Sequence, residues 1–158
     1  MDDTAFIKGK LAIAIDDEYH AKAIYADVLS QFGDVRPFSN IINAEQRHIE
    51  ALGHLYNKYG LATPGDAYTD ATYTFASLKE AAQASVDAEI ANADLYDDLL
   101  VGVSDPDVIK VFEKLQWASR ERHLPAFQRQ VDGGGQGGGH GKGKGKGRGR
   151  RGGGKGRN

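Results

Sequence analysis

Residues 41–52, Ile-Ile-Asn-Ala-Glu-Gln-Arg-His-Ile-Glu-Ala-Leu, repeat their apolar positions with the period of an α-helix and set Glu45 and His48 three residues apart. Phe38, Ile41, Ile42, Ile49, Leu52, Leu55 and Tyr56 fall on the same stripe, so a carboxylate and an imidazole are aimed into the core. Burying an unpaired charge is costly, and a metal ion is a partner that suits both groups. The fold must therefore bring further ligands or counter-charges to the depth of this pair.

The 158 residues, 40% of them hydrophobic, suffice for one domain with a sizeable core. The absence of cysteine removes disulfides, thiolate metal sites and thiol nucleophiles. No leader-like segment opens the sequence and no stretch approaches transmembrane length, so a soluble cytoplasmic protein is expected. The formal charge of −2 conceals a division: residues 1–132 hold all 22 acidic and 12 of the 20 basic residues, whereas 133–158 hold the other eight. Those eight, Lys142, Lys144, Lys146, Arg148, Arg150, Arg151, Lys155 and Arg157, are interleaved with glycine. With nothing apolar to offset the ordering of glycine, residues 133–158 read as a disordered basic tail on a domain spanning 1–132.

Within that domain the pattern is all-α. Apolar residues at helical spacing from Ile7 to Phe32 stop at Gly33, and a second run from Phe38 to Tyr59 stops at Gly60. Residues 61–76 mix turn formers and aromatics without a period and read as a long crossover. Ser77 and Glu80 form a capping box for a third helix ending near Gly102, and Ser104-Asp105-Pro106 opens a fourth, with Pro125 expected to kink or shorten its end. Each helix carries an inward ionisable group: Glu18, then Glu45 and His48, then Glu89, then His123. Counting from the connections, Glu89 and His123 differ in depth by about 7 Å, and Glu18 and Glu45 by about 10 Å, differences that tilt and an extended connector can absorb.

This order, Glu18, Glu45-x-x-His48, a long crossover, Glu89 and His123, resembles the ferritin-like superfamily, whose bacterioferritins and rubrerythrins bind two irons inside a four-helix bundle. The stretches Asp17-Glu18-Tyr19-His20-Ala21-Lys22, Phe38-Ser39-Asn40-Ile41 and Glu45-Gln46-Arg47-His48 resemble in particular a bacterial ferritin-like family known only as a domain of unknown function. The resemblance covers residues 5–130. It implies a ferritin-like antiparallel four-helix bundle with the crossover between helices 2 and 3. It also implies a site of Glu18, Glu45, His48, Glu89 and His123 for iron, as one or two ions, with manganese or zinc compatible with the same donors. O2- or peroxide-dependent oxidation of Fe(II) would be its chemistry, and a homo-oligomer is compatible with it.

The superfamily pattern ends in a second Glu-x-x-His, but Arg120 stands where its glutamate belongs. Glu121 faces some 100° away, and Gln116 shares the face of His123 as a weaker oxygen ligand. A mononuclear site, an asymmetric dinuclear site and a site without activity all follow from that departure. The bland reading of the inward groups is a set of core residues satisfying one another. His20 and His54 fall outside the stripes and are expected in solvent, Lys22 is spaced to pair with Glu18, and Tyr25 and Tyr96 are expected to pack the core. A second functional class is a non-catalytic helical scaffold whose tail contacts nucleic acid or another polyanion through charge alone.

Overall fold

The computed structural model describes residues 3–133. Its helices are α1 (Asp3–Phe32), α2 (Phe38–Lys58), α3 (Leu78–Leu100) and α4 (Pro106–Ala118), the last continuing through a π-helical turn (Ser119–His123) into α5 (Leu124–Asp132). There is no strand among the described residues, and no helix there is long and apolar enough to cross a membrane. The all-α bundle with its long connection between α2 and α3 is thus as the periodicity predicted. Residues pair in opposed order across neighbouring helices: Lys10 with Asp98, Glu18 with Tyr96 and Tyr25 with Glu89 between α1 and α3. Between α2 and the fourth rod, Lys58 meets Asp105 while Glu45 meets His123, so these rods are also antiparallel.

The helix limits follow from local chemistry. Gly33 and Gly60 adopt φ of 83° and 65°, a left-handed conformation that lets α1 and α2 stop without a Cβ clash. Ser77 Oγ accepts from the Glu80 N–H at 3.1 Å, while Glu80 reaches back to the N–H of Ala76 at 2.8 Å, one residue earlier than a standard capping box. At α4 it is Asp105 that caps, accepting from the Asp107 N–H, with Pro106 in the first turn where its missing N–H costs nothing. The crossover is laid along α1 by side chains of that helix: Asp16 accepts from the Tyr68 hydroxyl, Asp27 from the Tyr73 N–H and Gln31 from the Phe75 N–H. It thereby delivers the start of α3 to the C-terminal end of α1.

Pro125, expected to kink or shorten the end of the fourth helix, is met by a break in its regular winding, and the helix runs on to Asp132. A proline ring clashes with the carbonyl four residues earlier and offers no N–H to it. Here the chain widens just before the proline, and the Leu124 N–H bonds the Ser119 carbonyl, five residues back. The π-turn accommodates the ring and holds His123 inward.

Two apolar clusters fill the bundle. One contains Leu11, Ile15, Leu52, Tyr96 and Phe112; the other contains Tyr25, Val28, Phe38, Val86 and Phe127. Glu18, Glu45, His48, Glu89 and His123 form a buried polar layer between them. Phe127 is fully buried with its ring 5.2 Å from Tyr25 and 5.0 Å from Phe38, centroid to centroid. Phe127→Ala is expected to lower the unfolding free energy by about 3–5 kcal/mol through lost burial and a cavity, read as a reduced urea midpoint at unchanged slope.

Candidate metal centre

The five residues that periodicity aimed inward meet. Glu18 comes from the middle of α1, Glu45 and His48 from adjacent turns of α2, Glu89 from α3 and His123 from the π-turn. His48 Nδ1 lies 3.1 Å from Glu18 Oε2 and 3.0 Å from Glu45 Oε2. His123 Nδ1 lies 3.1 Å from Glu45 Oε1 and 3.3 Å from Glu89 Oε1. The two oxygens of Glu45 therefore face different histidines, and the cluster divides into two trios that share Glu45: Glu18, Glu45, His48 and Glu45, Glu89, His123. Within each trio the ligand atoms lie within 4.8 Å of one another, close enough to hold a metal ion. The imidazole rings are stacked, their centroids 5.6 Å apart and their planes 22° from parallel.

His123 Nδ1 tests whether such an ion fits. It is buried, and although two carboxylate oxygens approach within 3.3 Å, neither makes a hydrogen bond with it. Nitrogen and oxygens are gathered around a shared point, as ligands of a cation are. A cation there would engage a buried nitrogen that has charge contacts with Glu45 and Glu89 but no hydrogen bond.

A tyrosine holds one carboxylate oxygen in each trio: on Glu18 the oxygen turned away from His48, on Glu89 the oxygen that also faces His123. The Tyr96 hydroxyl donates to Glu18 Oε1 and the Tyr25 hydroxyl to Glu89 Oε1, each at 2.7 Å. Tyr25 follows Glu18 by seven residues on α1, and Tyr96 follows Glu89 by seven on α3. Two antiparallel helices with this spacing each supply a carboxylate at the level of the other's phenol. The tyrosines pack the core as expected, and their hydroxyls also orient the carboxylates, a role that a hydrophobic pattern does not reveal.

A second polar chain was not legible in the stripe. Ser119 Oγ donates to Asn92 Oδ1 at 2.5 Å, and the Asn92 amide donates to Asp17. Asn92 stands three residues after Glu89, and Ser119 lies on the inward stripe of His123, but nothing in the pattern pairs them. Asp17, Asn92 and Ser119 line a cavity of about 200 Å³ between α1 and α3 that reaches Glu45, Glu89 and Tyr25.

Arg120 turns outward and pairs with Asp97 at 3.0 Å, so its charge is answered away from the cluster. Gln116 is drawn to α3, donating to the Ala93 carbonyl and Asp97, and is no part of the site. Ser119 is buried on that turn together with His123. Lys22 donates to Gln46 rather than pairing with Glu18, and His20 stacks on Tyr68 of the crossover at 4.7 Å instead of standing in solvent. His54 is exposed as expected. The tail cations from Lys142 to Arg157 lie outside the described residues.

Burial and mutual repulsion set the charge of the cluster. Desolvation, reinforced by the Glu45 charge, pushes the Glu18 carboxyl up to about 8. Burial alone would lower both imidazoles, but the carboxylates beside them win, raising His48 to about 9 and His123 to about 10. Glu45 is also penalised by burial, yet the contacts of His123 and His48 hold it well below the usual carboxylate range. Without a cation the layer thus balances its charge with protons.

A family model for an uncharacterized protein domain, DUF2202, matches residues 8–139. A solved structure, described as the crystal structure of hypothetical protein MJ0754 from Methanococcus jannaschii, is similar with a TM-score of 0.72 over 81% of each chain at 21% identity. That likeness concerns the fold. No curated protein matches the chain.

The proton balance has a pH signature. His48, His123 and Glu18 keep protons in the folded, metal-free chain to about 9, 10 and 8, above their ordinary 6.5, 6.5 and 4.5. Each contribution is full below the ordinary value and lost as pH rises through the folded one, whereas that of Glu45 is lost on acidification below its ordinary 4.5. The melting temperature of metal-free protein is therefore expected to fall from about pH 6 to pH 10, as scanning calorimetry would show. A divalent ion displaces the same protons, so its binding should release protons at pH 7, measured from the buffer dependence of the binding enthalpy.

Proposed function

We propose that this chain, which belongs to the DUF2202 domain family, is a ferritin-like metal-binding protein that holds iron at the bundle centre and supports oxidation of Fe(II) by O2 or peroxide. The observation that carries the reading is the division of the Glu45 carboxylate between two ligand trios, one ending in His48 and the other in His123. Three carboxylates and two imidazoles are a hard-to-borderline donor set that suits Fe(II), Mn(II) or Zn(II) and disfavours Cu(I). Glu18 and His48 would hold one ion, Glu89 and His123 a second, and Glu45 would serve both.

Each trio offers three protein donors, which leaves coordination positions for a small reactant. Bound iron would supply the electrons for reducing an oxidant. The chain's own contribution is positional. Tyr96 and Tyr25 fix the rotamers of Glu18 and Glu89, and the apolar clusters on either side keep bulk water from the layer. The cavity lined by Asp17, Asn92 and Ser119 offers a small molecule a way to Glu45 and Glu89 from the α1–α3 side. Arg120, turned to Asp97, does not oppose a second cation, which favours a dinuclear reading over a mononuclear one.

Metal analysis of protein loaded with Fe(II) under anaerobic conditions tests this directly. Wild type should hold two ions per chain, one for each trio. Glu45→Ala should lose both, whereas His48→Ala and His123→Ala should each weaken one site by about 10–100-fold or more. Oxidation of Fe(II) on addition of O2 or peroxide, followed by absorbance, should fail in Glu45→Ala. Equal iron content and oxidation rate in wild type and Glu45→Ala would refute the assignment.

A further inference from the structure

The backs of the two histidines open onto a groove between α2 and the fourth rod that the metal reading does not use. The groove encloses about 350 Å³ and is lined by both His48 and His123. That volume lies in the range of small-molecule sites, about 300–1,000 Å³. Both rings turn Nδ1 towards carboxylates, and neither Nε2 has a partner among the described residues. With Nδ1 engaged by the carboxylates, Nε2 is the ring nitrogen left to meet an occupant of the groove. The groove floor therefore presents two imidazole nitrogens, on stacked rings 5.6 Å apart.

Its rim is cationic. Arg47 projects from α2, Lys114 from α4 and Arg122 from the π-turn, and no carboxylate lines the groove or pairs with any of the three among the described residues. This is unusual on a body whose residues 1–132 carry ten more acidic than basic side chains. Between rim and floor, Ala44, Ala51 and Ala118 leave room for an apolar body. Arg122 lies over the ring of Trp117, 5.1 Å from its centroid, and this is the sole tryptophan of the chain.

We propose that the groove binds a small organic anion, an oxyanion head on a compact apolar body, whose charge Arg47, Lys114 and Arg122 neutralise and whose head meets the imidazoles of His48 and His123 on the floor. The cationic rim is the same with or without metal, so the site stands independently of the iron assignment. An occupant would nonetheless touch both metal-facing imidazoles from behind, and so could tune them.

Titration of the full chain with benzoate, phenyl phosphate and benzyl alcohol tests the proposal. Trp117 fluorescence reports on the rim, and side-chain 15N–1H spectra of His48 and His123 report on the floor. The anions should give saturable changes in both, weakened by salt, with benzyl alcohol at least about tenfold weaker. Preference between the two anions identifies the head group as carboxylate or phosphate. The double variant Arg47→Gln, Lys114→Gln should lose affinity by about tenfold or more while keeping its circular dichroism and metal content. Should it fail to fold, Arg122→Gln read by the histidine resonances replaces it. No saturation by either anion up to about 10 mM, equal binding of benzyl alcohol, or unchanged affinity in the folded variants would overturn the proposal.

Discussion

Glu45 is the group on which the middle of the bundle depends. Its carboxylate lies 3.0 Å from His48 Nδ1 through one oxygen and 3.1 Å from His123 Nδ1 through the other. Four helices place ionisable side chains in one buried layer, and isolated charges there would cost more than the flanking apolar clusters could return. Opposite charges gathered within about 3 Å, with protons or a cation making up the balance, make the layer tolerable. The same closeness that makes these groups compatible with burial makes them a ligand set.

Around that carboxylate the bundle is organised as two related halves. Glu18 with Tyr96, and Glu89 with Tyr25, are matching carboxylate–phenol pairs across antiparallel α1 and α3, although Tyr25 shares its oxygen with His123. The histidines on the other side, one from α2 and one from the π-turn, complete the pairing. The halves are not equal at their margins. Asn92 and Ser119 form a polar chain with Asp17 beside Glu89, and the cavity opens there, whereas the cationic groove lies behind the imidazoles. A small reactant and an anion would thus approach the layer from different sides.

The π-turn links an unfavourable residue to a useful one. Pro125 would break an ordinary helix, and the five-residue turn before it makes room for the ring while the helix continues to Phe127, which closes the second apolar cluster. Widening at Ser119–His123 leaves His123 and Ser119 buried and sends Arg120 out to Asp97. A local backbone irregularity therefore decides which side chains of the fourth rod belong to the site.

By itself the amino-acid sequence determined the helical class, the helix limits near Gly33, Gly60, Ser77 and Asp105, and the inward set Glu18, Glu45, His48, Glu89 and His123. These follow from a period of 3.6 residues, caps and burial costs, all local properties. Tertiary structure alone decided that the set forms two trios sharing Glu45, because that depends on how far α1 and α3 slide past their neighbours. It also decided the partners of Tyr25, Tyr96, Lys22 and Gln116, since long side chains choose among groups that only packing brings near. The outward turn of Arg120 belongs to the same class. It follows from a π-turn that places an extra residue in one turn of helix, and a count based on uniform helical geometry has no means to register it.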